Sequence, residues 1–159
     1  MKKLVVTLVV VCFFTLTSEA QTRLGAGLGW GSDVDDVGLG INAEFFVKNN
    51  ISINPGIIIY LEDDGIYQDR DWWELNVNGN FYFAKEGSVD FYGIGGINLT
   101  TISRKSGDVR DAETELGINL GIGANFDFGG AVLPYSEVKY IAGNFDQAVL
   151  FFGIRFSIN

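Results

Sequence analysis

The clearest pattern in the chain is ELGINLGIGANFDF, Glu115 to Phe128. Leu116, Ile118, Leu120, Ile122, Ala124, Phe126 and Phe128 alternate without a break with Glu115, Gly117, Asn119, Gly121, Gly123, Asn125 and Asp127. Side chains on a strand alternate sides, so this is a β-strand with one apolar and one polar face. Seven further segments repeat the pattern: Thr22–Trp30, Val37–Lys48, Ile51–Leu61, Trp72–Phe83, Val89–Ile102, Val132–Ala142 and Val149–Ile158. Val89–Ile102 is out of phase with itself, and its Gly95-Gly96 pair predicts a β-bulge. No helix is predicted after residue 21.

The connections set the topology. Asn49-Asn50, Lys85–Ser88 and Gly129-Gly130 read as tight turns. Gly31–Asp36, Glu62–Asp71, Ser103–Glu113 and Gly143–Gln147 read as mostly longer, charged loops. Long and short alternate, which predicts an all-β, eight-stranded antiparallel up-and-down barrel with a short-turn rim and a long-loop rim. An even strand count leaves both termini on the short-turn rim.

The alternation does not say which face meets water. The kind of polar residue does. Gly and Asn dominate the polar face, with isolated charges, which suits the narrow interior of an eight-stranded barrel. Phe45, Phe81, Phe83, Phe126, Phe128 and Phe156 fall toward the short-turn rim, and Trp30, Trp73 and Tyr140 toward the long-loop rim. Two aromatic girdles around an aliphatic band are what the two interfaces of a bilayer select. Most segments reach the roughly nine to eleven tilted residues that cross a hydrocarbon core. The polar-face charges fall at matching heights: Arg23, Glu44, Glu137 and Arg155 lower, with Asp127 close by, and Glu74, Glu115 and Lys139 higher. Buried charges need partners, so these predict an interior network. The expected structure is a transmembrane barrel with its apolar face in lipid. The opposite choice is a soluble lipocalin-like carrier with that face inside.

Composition narrows the function. MKKLVVTLVVVCFFTLTSEA has the layout of a secretory signal peptide, with Gln21 as the expected new N-terminus and 21–159 as the barrel domain. Cys12 follows Val10-Val11, where a lipoprotein signal carries a small residue, so lipidation is not expected. Removal of this segment leaves no cysteine. The net charge is −9, which argues against a nucleic-acid partner. The chain has no histidine, which excludes serine–histidine and cysteine–histidine hydrolases and the usual zinc and haem ligands.

The whole segment Gln21–Asn159 resembles the small eight-stranded outer-membrane barrels of Gram-negative bacteria, the OmpX and OmpA-transmembrane-domain type, grouped loosely as porin-like. The sharpest local match is the last strand, FFGIRFSIN. Gly153, Phe156 and Ile158 stand where that family's C-terminal assembly signal places a glycine and two hydrophobic residues, although the family usually ends on an aromatic and this chain on Asn159. The resemblance implies insertion by the barrel-assembly machinery, residence in the outer membrane among lipid and lipopolysaccharide, periplasmic termini and extracellular long loops. With Asn159 as the last residue, no peptidoglycan-binding domain is expected. Family members that act on lipid A rely on a histidine, so no enzyme activity is expected.

Other chemistry is weak. Gly25, Gly27 and Gly29 have strand spacing, and Trp30 stands where a dinucleotide loop needs glycine. Glu62, Asp63, Asp64, Asp69 and Asp71, with Asp33, Asp35 and Asp36, form an acidic rim whose spacing matches no calcium loop. No cofactor or metal is expected. Three roles stay open: a structural or interaction barrel, including an accessory subunit of a larger outer-membrane complex; a narrow channel lined by the interior charges; and, weakest, a soluble carrier.

Overall fold

The computed structural model describes residues 21–61, 69–106 and 109–158. The expected export segment lies outside them. The described chain forms β1 (Thr22–Gly31), β2 (Asp36–Lys48), β3 (Ile51–Tyr60), β4 (Asp69–Glu86), β5 (Val89–Ser106), β6 (Val109–Phe126), β7 (Val132–Ala142) and β8 (Gln147–Ile158). Every sequential pair is antiparallel, and β1 closes onto β8 from Thr22↔Ile158 to Gly31↔Val149. The barrel therefore has no free edge, and its backbone donors and acceptors pair within the wall. That condition is what lets strands cross hydrocarbon.

The apolar face points outward. Ile41, Leu116, Ile122 and Phe152 are each more than 60% exposed, whereas Glu44, Asn119 and Arg155 are fully buried. Register joins the outer residues into bands: Ala26 pairs with Ile41, Ile41 with Ile57, Ile57 with Leu75, Leu75 with Leu99 and Leu99 with Leu116. A wall of this kind in water would far exceed the apolar patches that soluble monomers expose. In a bilayer it is the matched surface. This arrangement removes the lipocalin-like alternative, whose apolar face would line the interior.

Three expectations are corrected. No bulge lies at Gly95-Gly96: β5 pairs without a slip there with both β4 and β6. The apparent phase break has another cause, since Ile94 faces inward at 5% exposure, paired across β4 with the buried Asn80. The bulges lie between Phe46 and Lys48, and between Tyr82 and Ala84. Second, Ser103–Glu113 is not a long loop. β5 and β6 continue as a hairpin, pairing Ser103 with Ala112 and Arg104 with Asp111. Charged residues replaced the alternation there, and ladder hydrogen bonds do not need it. The contrast between the rims lies partly in these strand extensions and less in loop length. Third, β6 ends at Phe126, so Phe128 lies past the strand. The turn between β4 and β5 uses Gly87 at φ 62°, a left-handed conformation that glycine adopts at little cost. The acidic segment Glu62–Asp64 lies outside the described residues.

Candidate functional site

The interior is the chemically distinctive region, and it is built in layers. The layer toward the short-turn rim centres on Arg155 of β8. Its Nη2 lies 2.8 Å from Glu137 Oε1, and its Nη1 lies 3.6 Å from Glu44 Oε2. Nη1 also donates to Asn125 Oδ1 at 2.7 Å and Tyr92 Oη at 3.2 Å. The guanidinium sits 3.9 Å over the Tyr135 ring, a cation–π contact. Glu44 is held as densely. Its Oε1 accepts from Tyr82 Oη at 2.6 Å, Ser52 Oγ at 2.7 Å and Asn80 Nδ2 at 3.2 Å. Arg23 Nη1 reaches Glu44 Oε2 at 3.5 Å.

Above this lies a layer of aromatic and aliphatic side chains. Tyr135 and Phe151 stack with centroids 5.6 Å apart, beside the buried Ile58. Next comes an amide cluster. Asn119 Nδ2 donates to Asn76 Oδ1 at 2.8 Å and Asn78 Oδ1 at 2.7 Å, and Lys139 Nζ donates to the same Asn76 oxygen at 3.0 Å. Glu74 Oε1 accepts from Tyr60 Oη at 3.0 Å and from Gln147 Nε2. Glu74 and Lys139 approach only to 3.8 Å. Toward the long-loop rim, Trp72, Ile102, Ile141 and Val149 form an apolar cap, with Val34 and Phe145 from the connections packed against it. The cavity between the layers, lined in part by Asn42, Asn54 and Phe151, measures about 30 Å³. At roughly 10–15 Å³ each, that is room for about two waters.

The sequence-predicted charges are therefore placed as follows. Arg23, Glu44, Glu137 and Arg155 come together in one cluster. Glu74 and Lys139 meet loosely in another. Glu115 joins neither; it accepts from Asn144 Nδ2 at 2.8 Å in an exposed position near the long-loop rim. Asp127 accepts from the Gly129 amide in a turn. Sequence reasoning missed the aromatic filling: Tyr60, Trp72, Tyr92, Tyr135 and Phe151 are all buried inside. Its signal was available, because each breaks the Gly/Asn rule on the polar side of its strand.

The aromatics expected at two interfaces lie near opposite rims. Phe81 pairs with Ile51, Phe126 with Val89 and Phe156 with Val132, each at the start of a strand beside a short-rim connection. Phe83 and Phe128 are exposed there and Phe45 is half-buried. Trp30 pairs with Val37, Trp73 with Ile59 and Tyr140 with Ala148 near the other rim. Tyr140 Oη hydrogen-bonds the Asp146 carboxylate. Phe156 and Ile158 of the last strand face outward, 43% and 49% exposed. Gly153 has a packing reason of its own. A Cβ there would come within 2.6 Å of the Ala26 carbonyl oxygen and 2.7 Å of the Tyr135 ring.

Known structures share this architecture. The N-terminal β-barrel domain of OprF from Pseudomonas aeruginosa superposes with a TM-score of 0.72 at 12% identity, over 87% of this chain and 97% of that one. The fold is that of the small outer-membrane barrels. Ail, the attachment invasion locus protein of Yersinia pestis, superposes at 0.66 and 12% identity over 87% of this chain and 97% of its own. A major outer membrane protein of Thermus thermophilus does so at 0.65 and 10%, over 89% and 100%. No family model and no curated protein matches the sequence. At these identities the likeness concerns the barrel and not the task. The exterior of this barrel is apolar and its interior is filled. Among the described residues, no group of three or more acidic side chains is arranged to hold a metal ion.

Proposed function

We propose that the chain is an integral outer-membrane protein with a structural or interaction role, acting through its loop rim and its lipid-facing wall. Its termini face the periplasm and its longer hairpin extensions face outward, among lipopolysaccharide. A larger outer-membrane protein is the partner that its wall would suit. The observation that supports this reading is the filled interior. Arg155, Glu44, Asn119 and Trp72 are buried to within 1% of complete, and the central cavity is about 30 Å³. A conduit needs a continuous wet path, and here Glu44, Arg155, Asn76 and Asn119 are engaged by other interior side chains. The narrow-channel reading therefore ranks second.

The test separates the two. The protein is extracted in mild detergent from native outer membranes, its partners are identified, and the isolated barrel is placed in a planar bilayer. An interaction role predicts a stoichiometric larger membrane protein and no single-channel current. A current that changes on Glu44→Gln would overturn the reading in favour of the channel.

A further inference from the structure

Both β-bulges lie on the short-turn rim. The slip between Phe46 and Lys48 bends β2, and that between Tyr82 and Ala84 bends β4. Bulges at barrel rims bend the strand and re-aim side chains. Here they flank a cavity of about 350 Å³ that opens at this rim. That volume falls within the roughly 300–1,000 Å³ range of small-molecule sites. The interior above it is closed, so the cavity is a cup and not the entrance to a path.

The cup has an aromatic wall and a cation beside it. The Phe46 and Tyr82 rings lie 5.4 Å apart. The Arg23 guanidinium lies 4.7 Å over the Phe46 ring. Among the described residues its one polar contact is Nη1 to Glu44 Oε2 at 3.5 Å, the outer limit of a hydrogen bond. Glu44 does not depend on it, since Tyr82, Ser52, Asn80 and Arg155 already surround that carboxylate. A guanidinium carries five N–H donors in a planar fork suited to bidentate carboxylate binding. Arg23 therefore keeps most of its donors for something in the cup, at only 16% side-chain exposure. Lys85, 3.1 Å from Asp90, stands at the lip. Arg23, Lys85 and Asp90 are the charged side chains lining the cup, so it carries one net positive charge in a chain of net charge −9.

We propose that this cup binds a carboxylate carried on a flat apolar body. The carboxylate sits on the free edge of the Arg23 fork, and the body lies against Phe46 and Tyr82. The proposal does not rest on the interaction role above.

The probe is phenylacetate, with phenylacetamide as the uncharged control of the same shape. Each is titrated into the detergent-purified protein, as the cell processes it, while NMR follows the arginine Nε–H signals. The expected result is a saturable shift of the Arg23 signal with phenylacetate and binding at least about tenfold weaker with the amide, because only the carboxylate accepts two charge-assisted bonds. Arg23→Gln should weaken phenylacetate by about the same factor, and Asp90→Asn, which removes the one acid, should strengthen it. Far-UV circular dichroism checks that the variants fold. If Arg23→Gln does not, Lys85→Gln still should weaken binding and Ala84→Trp should obstruct it. Equal binding of acid and amide would reduce the cup to an apolar hollow and overturn the proposal, as would the absence of any saturable shift.

Discussion

The two charge centres inside the barrel are built differently. Around Arg155 the ions are in contact: a 2.8 Å bond to Glu137, a 3.6 Å approach to Glu44, and hydroxyl and amide donors on the other Glu44 oxygen. Around Lys139 the ions stand 3.8 Å apart, and neutral groups serve each of them, Asn76 for the ammonium and Tyr60 with Gln147 for Glu74. The first centre lies beside the open cup, and the second lies under an apolar cap. The difference is not one of burial, since Arg155, Glu44 and Glu74 are all at 0% exposure and Lys139 at 4%. It lies in the partners: the first centre is held by direct charge contacts, the second by neutral donors and acceptors that stand between its ions.

The largest effect should come from breaking the tight centre. Arg155→Met leaves Glu44 and Glu137 facing each other without the cation between them. The expected loss is about 3–5 kcal/mol, the range for orphaning a buried charge, read as a shift of the urea midpoint in lipid or detergent. Lys139→Met should cost less, about 1–3 kcal/mol, because Lys139 and Glu74 approach only to 3.8 Å and little direct pairing is lost. Equal losses from the two variants would mean that contact distance does not distinguish the centres.

The cap and the tight centre are plugs in series, which a second pair of variants can expose. Trp72→Ala removes an edge-on contact with Tyr60 at 6.3 Å and a tilted one with Phe145 at 6.1 Å. It should destabilise by about 3–5 kcal/mol, as other large-to-small aromatic truncations do. It should still pass no current, since the Arg155 layer remains closed. Trp72→Ala combined with Arg155→Met should still not conduct in a planar bilayer, because the Tyr135–Phe151 stack and the Asn76–Asn119 cluster remain between the two sites. Current from Trp72→Ala alone would show that the lower layer leaks.

Much of this architecture was readable from alternation, and the failures have physical causes. Leu116 to Phe126 alternate because the wall separates lipid from a packed polar interior, so strand number, closure and the outward apolar face followed. The lower charges were legible because a charge on a lipid-exposed strand has only the interior to occupy. Three things were not. The β5–β6 extension lies beyond the hydrocarbon, where no apolar face is required and the period disappears. Glu115 has the correct parity for the interior, but parity says nothing about height, and Asn144 claims it at the rim. The aromatic filling escaped because a barrel of eight strands must fill its lumen to a fixed volume. Where glycine lines one strand, a large ring must reach in from another. Gly40 and Phe151 show this: a Cβ on that glycine would run into the Phe151 ring.

The smallest predicted change tests whether the tight centre and the cup share a residue without sharing a purpose. Tyr82 Oη donates to Glu44 at 2.6 Å and accepts from Asn125 Nδ2 at 3.0 Å, while its ring forms part of the cup wall. Tyr82→Phe deletes the hydroxyl and leaves the ring. Glu44 retains Ser52 and Asn80, so the loss should be about 1.5 kcal/mol, the low end for a hydrogen bond to a charged group. Affinity for phenylacetate should stay unchanged, because the proposed contact is with the ring face. A stability loss without an affinity change would assign the hydroxyl to the interior and the ring to the cup. A parallel loss of affinity would mean that the Glu44 network sets the position of Arg23 after all, joining the two regions into one device.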